Sequence, residues 1–225
     1  MISTLIVVTI PFIFLLVFSE LTHIAGTLLF QDLSFSFVRL VIAYIFAILF
    51  GWLFAVLFYK GKRALIALPL FDVLQSFPTF AALPLATYVW GVSNFTVIFF
   101  LIITIIWPVF FSIISSLKLI KHDWEAAVQI MRLAPLDYLR YYLIPITIPG
   151  IITGSIIGLG EGWEALIATE IIVGLKSGLG SFFQSYSKDV PITLFGILGF
   201  LILIFSINKL LWLPLLEWSH RELEE

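Results

Sequence analysis

"NFTVIFFLIITIIWPVFFSIISSL", residues 94–117, holds no ionisable side chain. A helix rises about 1.5 Å per residue, so this run is roughly 36 Å long. That is enough to cross a hydrocarbon core about 30 Å thick. The same texture extends in both directions. Five further apolar stretches of span length lie at about 2–19, 36–59, 68–90, 146–173 and 192–215. The stretch 68–90 is the weakest, because Asp72, Gln75, Pro78 and Pro84 interrupt it. Of 225 residues, 61% are hydrophobic and 12% charged, against about 25% charged in a soluble domain. A soluble fold of this length could not hide so much apolar surface. The reading is an all-α membrane protein with about six transmembrane helices, forming one transmembrane domain over 1–225.

The opening "MISTLIVVTIPFIFLLVFSE" lacks the basic start and small-residue cleavage site of a signal peptide, so it is expected to stay as the first span. A net charge of −2 without a basic tract gives no support for nucleic acid as a partner. The absence of cysteine excludes disulfides and thiolate metal sites. His23, His122 and His220 have no metal-ligand spacing, and no Ser/His/Asp set or Gly-x-Ser-x-Gly elbow argues for hydrolysis.

Lysine and arginine set the expected orientation. With six spans, Lys60, Lys62, Arg63, Lys118, Lys121, Arg132, Arg140 and Arg221 fall on one side, and Arg39, Lys176 and Lys188 on the other. The richer side is expected to be cytoplasmic. Both termini and the loop at about 119–145 then face the cytoplasm, and 174–191 faces outward.

That cytoplasmic loop opens the charged run "HDWEAAVQIMRLAPLDYLRYYLIPITIPG", residues 122–150. Asp123 can cap a helix, and Glu125 complements its N-terminal dipole. Trp124, Ala127, Val128 and Met131 recur at helical spacing on one face, and Glu125, Gln129 and Arg132 on another. Pro135 should stop the first helix at Ala134 and open a second through about Leu143. Two short amphipathic pieces between spans fit either an interfacial helix lying on lipid or a docking surface for a soluble partner.

"EAAVQIMRLAPLDYLRYYLIP" resembles the EAA loop of ABC-importer permeases. Glu125, Ala126, Ala127 and the pair Ile144-Pro145 match that pattern. "PGIITGSIIGLGEGWEALIATEII" (149–172) is similar to the fifth span of nitrate/sulfonate/taurine-type permeases, and "LQSFPTFAALPLATYVWG" (74–91) to their third. The family's loop glycine is absent. Counted forward from Glu125 it would fall at Met131, and counted back from Pro145 at Arg132; Ala134-Pro135 is expected to supply the turn instead.

The resemblance implies a type I ABC importer permease-like fold in the cell membrane. The loop would be a coupling helix seated on a cytoplasmic ATPase through Trp124, Glu125, Ala126, Ala127, Val128, Met131, Arg132 and Pro135. It further implies a second permease subunit, an extracellular or periplasmic binding protein and a small solute, such as nitrate, a sulfonate like taurine, or bicarbonate. No G-x-x-x-x-G-K-[ST] loop occurs, so ATP and Mg would belong to the ATPase and this chain would need no cofactor.

Gly150, Gly154, Gly158 and Gly162 form a ridge suited to close helix packing. Glu161, Glu164 and Glu170 are costly within a span and should face protein or water. Glu161 and Glu164 lie about 60° apart on a helix, with Glu170 nearly opposite Glu161. Each is a candidate pathway residue or a structural hydrogen-bonding group. An ion-coupled transporter or polytopic membrane enzyme using these carboxylates is the alternative class.

Overall fold

The computed structural model describes residues 2–119, 128, 130–215 and 217, with side chains from residue 7 onward. Its helices are α1 (Ile2–Thr22), α2 (Gly26–Phe58), α3 (Gly61–Gln75), α4 (Thr79–Trp90), α5 (Asn94–Lys118), α6 (Pro135–Val173), α7 (Leu179–Ser185) and α8 (Val190–Leu215). No strand occurs among the described residues.

Four helices, α2, α5, α6 and α8, are each long and apolar enough to cross a membrane. The expected third span is a bent pair, α3 and α4, turned by 80° at its break. Ser76 and Pro78 sit in that break, where Pro78 lacks an N–H and disfavours helix at Phe77. In α1, which runs Ile2–Thr22, the segment Val7–Thr22 is apolar. Against the expected six or so spans, the third of them interrupted, four helices pass by length and composition among the described residues, or five with the bent pair counted as one.

At the centre stands α5. Ser93 caps it, its Oγ accepting the Thr96 N–H at 3.3 Å. Its buried residues, from Val97 through Leu101, Ile105, Val109 and Ile113 to Leu117, recur at helical spacing. On one side α6 packs against it with glycines. A methyl placed on Gly154 would lie 2.6 Å from the Val109 Cα, and one on Gly150 would lie 2.8 Å from the Ile113 Cα. On the other side α2 presents Ala43, Ala47, Gly51 and Ala55, all buried and four apart. Side-chain bonds tie α2 to α6 in antiparallel register: Tyr44 Oη to Ser155 Oγ at 2.7 Å, and Trp52 Nε1 to Thr147 Oγ1 at 2.9 Å.

Two prolines shape the helix backbones. In α6 a π-turn covers Leu139–Leu143, and the Ile144 N–H reaches back to the Leu139 carbonyl. In α8 a π-turn covers Asn208–Trp212, and the Leu213 N–H reaches the Asn208 carbonyl. Pro145 and Pro214 follow immediately. A proline cannot donate to the carbonyl four residues back and its ring crowds that carbonyl. The wider turn relieves the crowding and lets the helix continue. The expected separate helix ending near Leu143 is thus one with the span that follows it.

Candidate functional site

Helices α3 to α6 surround a cleft of about 1110 Å³. The last turn of α3 contributes Asp72 and Gln75, whose side chains bond each other at 2.7 Å. The open face of α5 supplies Thr104, Ser112, Ser115 and Ser116. These positions face the cleft because the apolar stripe of α5 is already spent on α2 and α6. From α6 come Thr153 and Glu161. Between Pro149 and Glu161, both lining residues, the axis rises about 18 Å, more than half a hydrocarbon core. Among the described residues no Lys, Arg or His lines the cleft.

The three acidic candidates have three different settings. Glu161 faces the cleft, and no hydrogen bond or ion pair reaches its carboxylate among the described residues. Glu164 is exposed on α6 but does not line the cleft. Glu170 is fully buried. It accepts the Arg39 guanidinium at 2.6 Å, the Ser36 hydroxyl at 2.8 Å and the Gly180 N–H at 2.9 Å. These donors occupy its oxygens and hold Glu170 in a buried polar knot, the hydrogen-bonding setting that is one of its two expected roles.

That knot anchors the segment between α6 and α8. The N–H groups of Gly178, Leu179 and Gly180 open α7 and have no partner within it. They bond instead to Asp32 Oδ1 at 2.7 Å, Ser36 Oγ at 2.8 Å and Glu170 Oε2 at 2.9 Å. Arg39 also donates to Asn94 Oδ1 at 2.8 Å and to the Ser177 carbonyl at 2.9 Å. Gly178 has φ +108°, and a Cβ there would come 2.5 Å from the Arg39 guanidinium, which accounts for glycine at this position.

Of the loop candidates, Trp124, Glu125, Ala126 and Ala127 lie outside the described residues. Val128 is half-buried and Met131 is exposed. Arg132 takes a left-handed backbone, φ +45°. Ala134 is extended and Pro135 opens α6. The sharp reversal therefore lies at Arg132, one of the two positions where the glycine would be counted, while Ala134-Pro135 acts only as the helix start.

The arrangement defines a class: a helical membrane protein in which one broken helix and two closely packed ones wall an open cleft with polar groups set in an apolar lining. The chain belongs to the family described as binding-protein-dependent transport system inner membrane component, which it matches over residues 47–211. It is 32% identical over 155 residues to the nitrate import permease protein NrtB of Leptolyngbya laminosa, covering 68% of this chain and 55% of that one. It is 30% identical over 158 residues to the taurine transport system permease protein TauC of Escherichia coli, covering 70% and 57%. Against the bicarbonate transport system permease protein CmpB of Synechococcus elongatus the identity is 29% over 127 residues, covering 54% and 46%. The matched regions span about half the length of these curated relatives.

Proposed function

We propose that this chain is the transmembrane permease subunit of an ATP-driven importer and forms half of the route for a small solute. The observation that carries this is the open cleft of mixed polar and apolar lining built from α3 to α6, in a chain of this transport family. Two such subunits, identical or related, complete the pathway in the cell membrane. Both termini and the loop at about 119–145 face the cytoplasm, in keeping with the lysine and arginine distribution. ATP and Mg bind a separate ATPase, and a binding protein outside delivers the solute. The relatives named for nitrate, bicarbonate and taurine suggest a small solute carrying an anionic group.

In this reading Trp124 to Met131 form the face that enters the ATPase, and the turn at Arg132 connects that face to the rigid start of α6. Force applied there reaches Glu161 along one continuous helix. The test is Ala127→Arg in the full complex. Its larger side chain should obstruct docking, leaving insertion and permease pairing intact. Co-purification of the ATPase should fall, or ATP hydrolysis stimulated by loaded binding protein should be lost. A helix merely resting on anionic lipid would tolerate or favour the added cation. Unchanged coupling in that variant refutes the docking role.

A further inference from the structure

We propose that the first turn of α3 binds the headgroup of an anionic phospholipid, with an acyl chain lying along the outward face of that helix. Lys62 and Arg63 stand in this turn, Lys60 precedes it, and it holds no acidic residue. Lys62 and Arg63 are exposed, and neither side chain forms an ion pair or hydrogen bond with a described residue. The helix dipole favours anions at such an end, so these cations are set against it until a negative group joins them. A phosphodiester supplies that charge, and a guanidinium can hold two of its oxygens. Beyond the cations, Ile66, Pro69 and Val73 continue the face of Lys62 at helical spacing, with Leu65 beside it. Leu65, Ile66 and Val73 are 78%, 76% and 70% exposed. The opposite face holds α3 to the bundle. There Ala67 is buried, and the Phe71 ring lies 6.0 Å from that of Phe54 and 5.1 Å from that of Phe110. From Lys62 to Val73 the axis rises about 16 Å, about one leaflet of a hydrocarbon core about 30 Å thick. Charge at one end, followed by one leaflet's length of bare apolar helix, matches a phospholipid. An acidic protein surface would match the cations but not the apolar stripe. Because α3 ends at the break that borders the cleft, the lipid steadies one wall of the cleft from the headgroup side.

The native sequence contains no cysteine, so Ile66→Cys carries a single bimane label on the outward face. The full chain is placed in phosphatidylcholine vesicles containing either brominated phosphatidylglycerol or brominated phosphatidylcholine. Bromine in the acyl chains quenches bimane on contact, and the two quenching curves give the affinity of this face for phosphatidylglycerol relative to phosphatidylcholine. At low salt that ratio should exceed one, by about fivefold for each cation the headgroup meets. In about 1 M salt, where charges are screened beyond about 3 Å, it should fall toward one. Lys62→Gln and Arg63→Gln should each lower it about fivefold. Lys176→Gln, an exposed lysine beyond the C-terminal end of α6, should leave it unchanged. Val73→Cys serves as the reporter if the first variant does not fold. A ratio of one without the glutamine changes assigns the cations to a protein surface and overturns the proposal. So does a raised ratio that Lys62→Gln/Arg63→Gln leaves unaltered, or one that Lys176→Gln lowers equally. Failure of ATPase coupling would remove the transport reading without moving this ratio, so the two can fail separately.

Discussion

Replacing Glu170 by Gln removes one charge from the knot that joins α2, α6 and the start of α7, and changes little else in its shape. The guanidinium of Arg39 then loses its buried counter-ion. Its side chain is only 7% exposed, and Glu170 is not exposed at all. Breaking a buried pair in this way costs about 3–5 kcal/mol. Arg39 keeps the Asn94 and Ser177 acceptors, which places the cost near the lower end, about 3 kcal/mol. In a chain of this size about 1 kcal/mol corresponds to roughly 2–4 °C, so the melting temperature should fall by about 6–12 °C. Tryptophan fluorescence during thermal unfolding in detergent measures the shift. Protease cleavage between 176 and 189 should rise as well, because Gly180 loses a charged acceptor. The double variant Arg39→Met/Glu170→Gln removes both members of the buried pair, Asp32 keeps the Gly178 N–H, and the Gln oxygen still accepts from Gly180 and Ser36. It should therefore be more stable than Glu170→Gln alone. A single variant within about 3 °C of wild type, or a double variant less stable than that single, would refute the reasoning.

Two further variants probe the packing and the turn. Gly154→Leu should drive α5 from α6 and cost about 3 kcal/mol, because even a methyl would sit 2.6 Å from backbone. Gly160→Leu, with nothing within 4 Å of its added Cβ, should leave the melting temperature nearly unchanged; equal losses in both would place the ridge away from α5. Arg132→Gly should raise stability by about 1 kcal/mol, since a left-handed backbone strains a residue with a Cβ. Arg132→Ala should give no such gain, and a gain in both would assign the effect to the lost charge.

Continuous apolar runs were legible to within a residue or two. The stretch 94–117 corresponds to Asn94–Lys118, and 192–215 to Val190–Leu215. The start of α2 was misplaced by ten residues. Asp32 and Ser34 precede the expected span 36–59, and Asp32 and Ser36 bond residues near 178, far away in the chain. The pairing of Arg39 with Glu170 spans 131 positions and has no local signature. At the α3–α4 break Asp72, Gln75 and Pro78 announced an interruption, but an angle of 80° depends on what packs around it. Other features had a signal in plain view. Thr104, Pro108, Ser112 and Ser116 repeat every four residues along one cleft-lining strip of α5, and Ala43, Ala47, Gly51 and Ala55 do the same for packing on α2. Glu161 stood out by its cost alone; its lack of a partner required the fold.

The break between α3 and α4 also bears on hydration and voltage. Lipid offers the backbone no hydrogen bonds, so irregular chain at membrane depth must be enclosed by protein or wetted. Some groups at the break close locally: the Ser76 and Phe77 N–H on the Val73 and Leu74 carbonyls, and the Ala81 and Ala82 N–H on the Pro78 carbonyl. The Thr79 and Phe80 N–H groups begin α4, ahead of any carbonyl its own turns could offer. Every residue from Gln75 to Ala81 borders the cleft. In a membrane these N–H groups require water in the cleft or a further protein surface against it. One residue beyond Glu161, Gly162 packs against Ile105 and Leu40. With water reaching that layer, the transmembrane potential drops mainly across the short remaining thickness of packed protein. A charge crossing it senses most of the roughly 2.3 kcal/mol that 100 mV supplies.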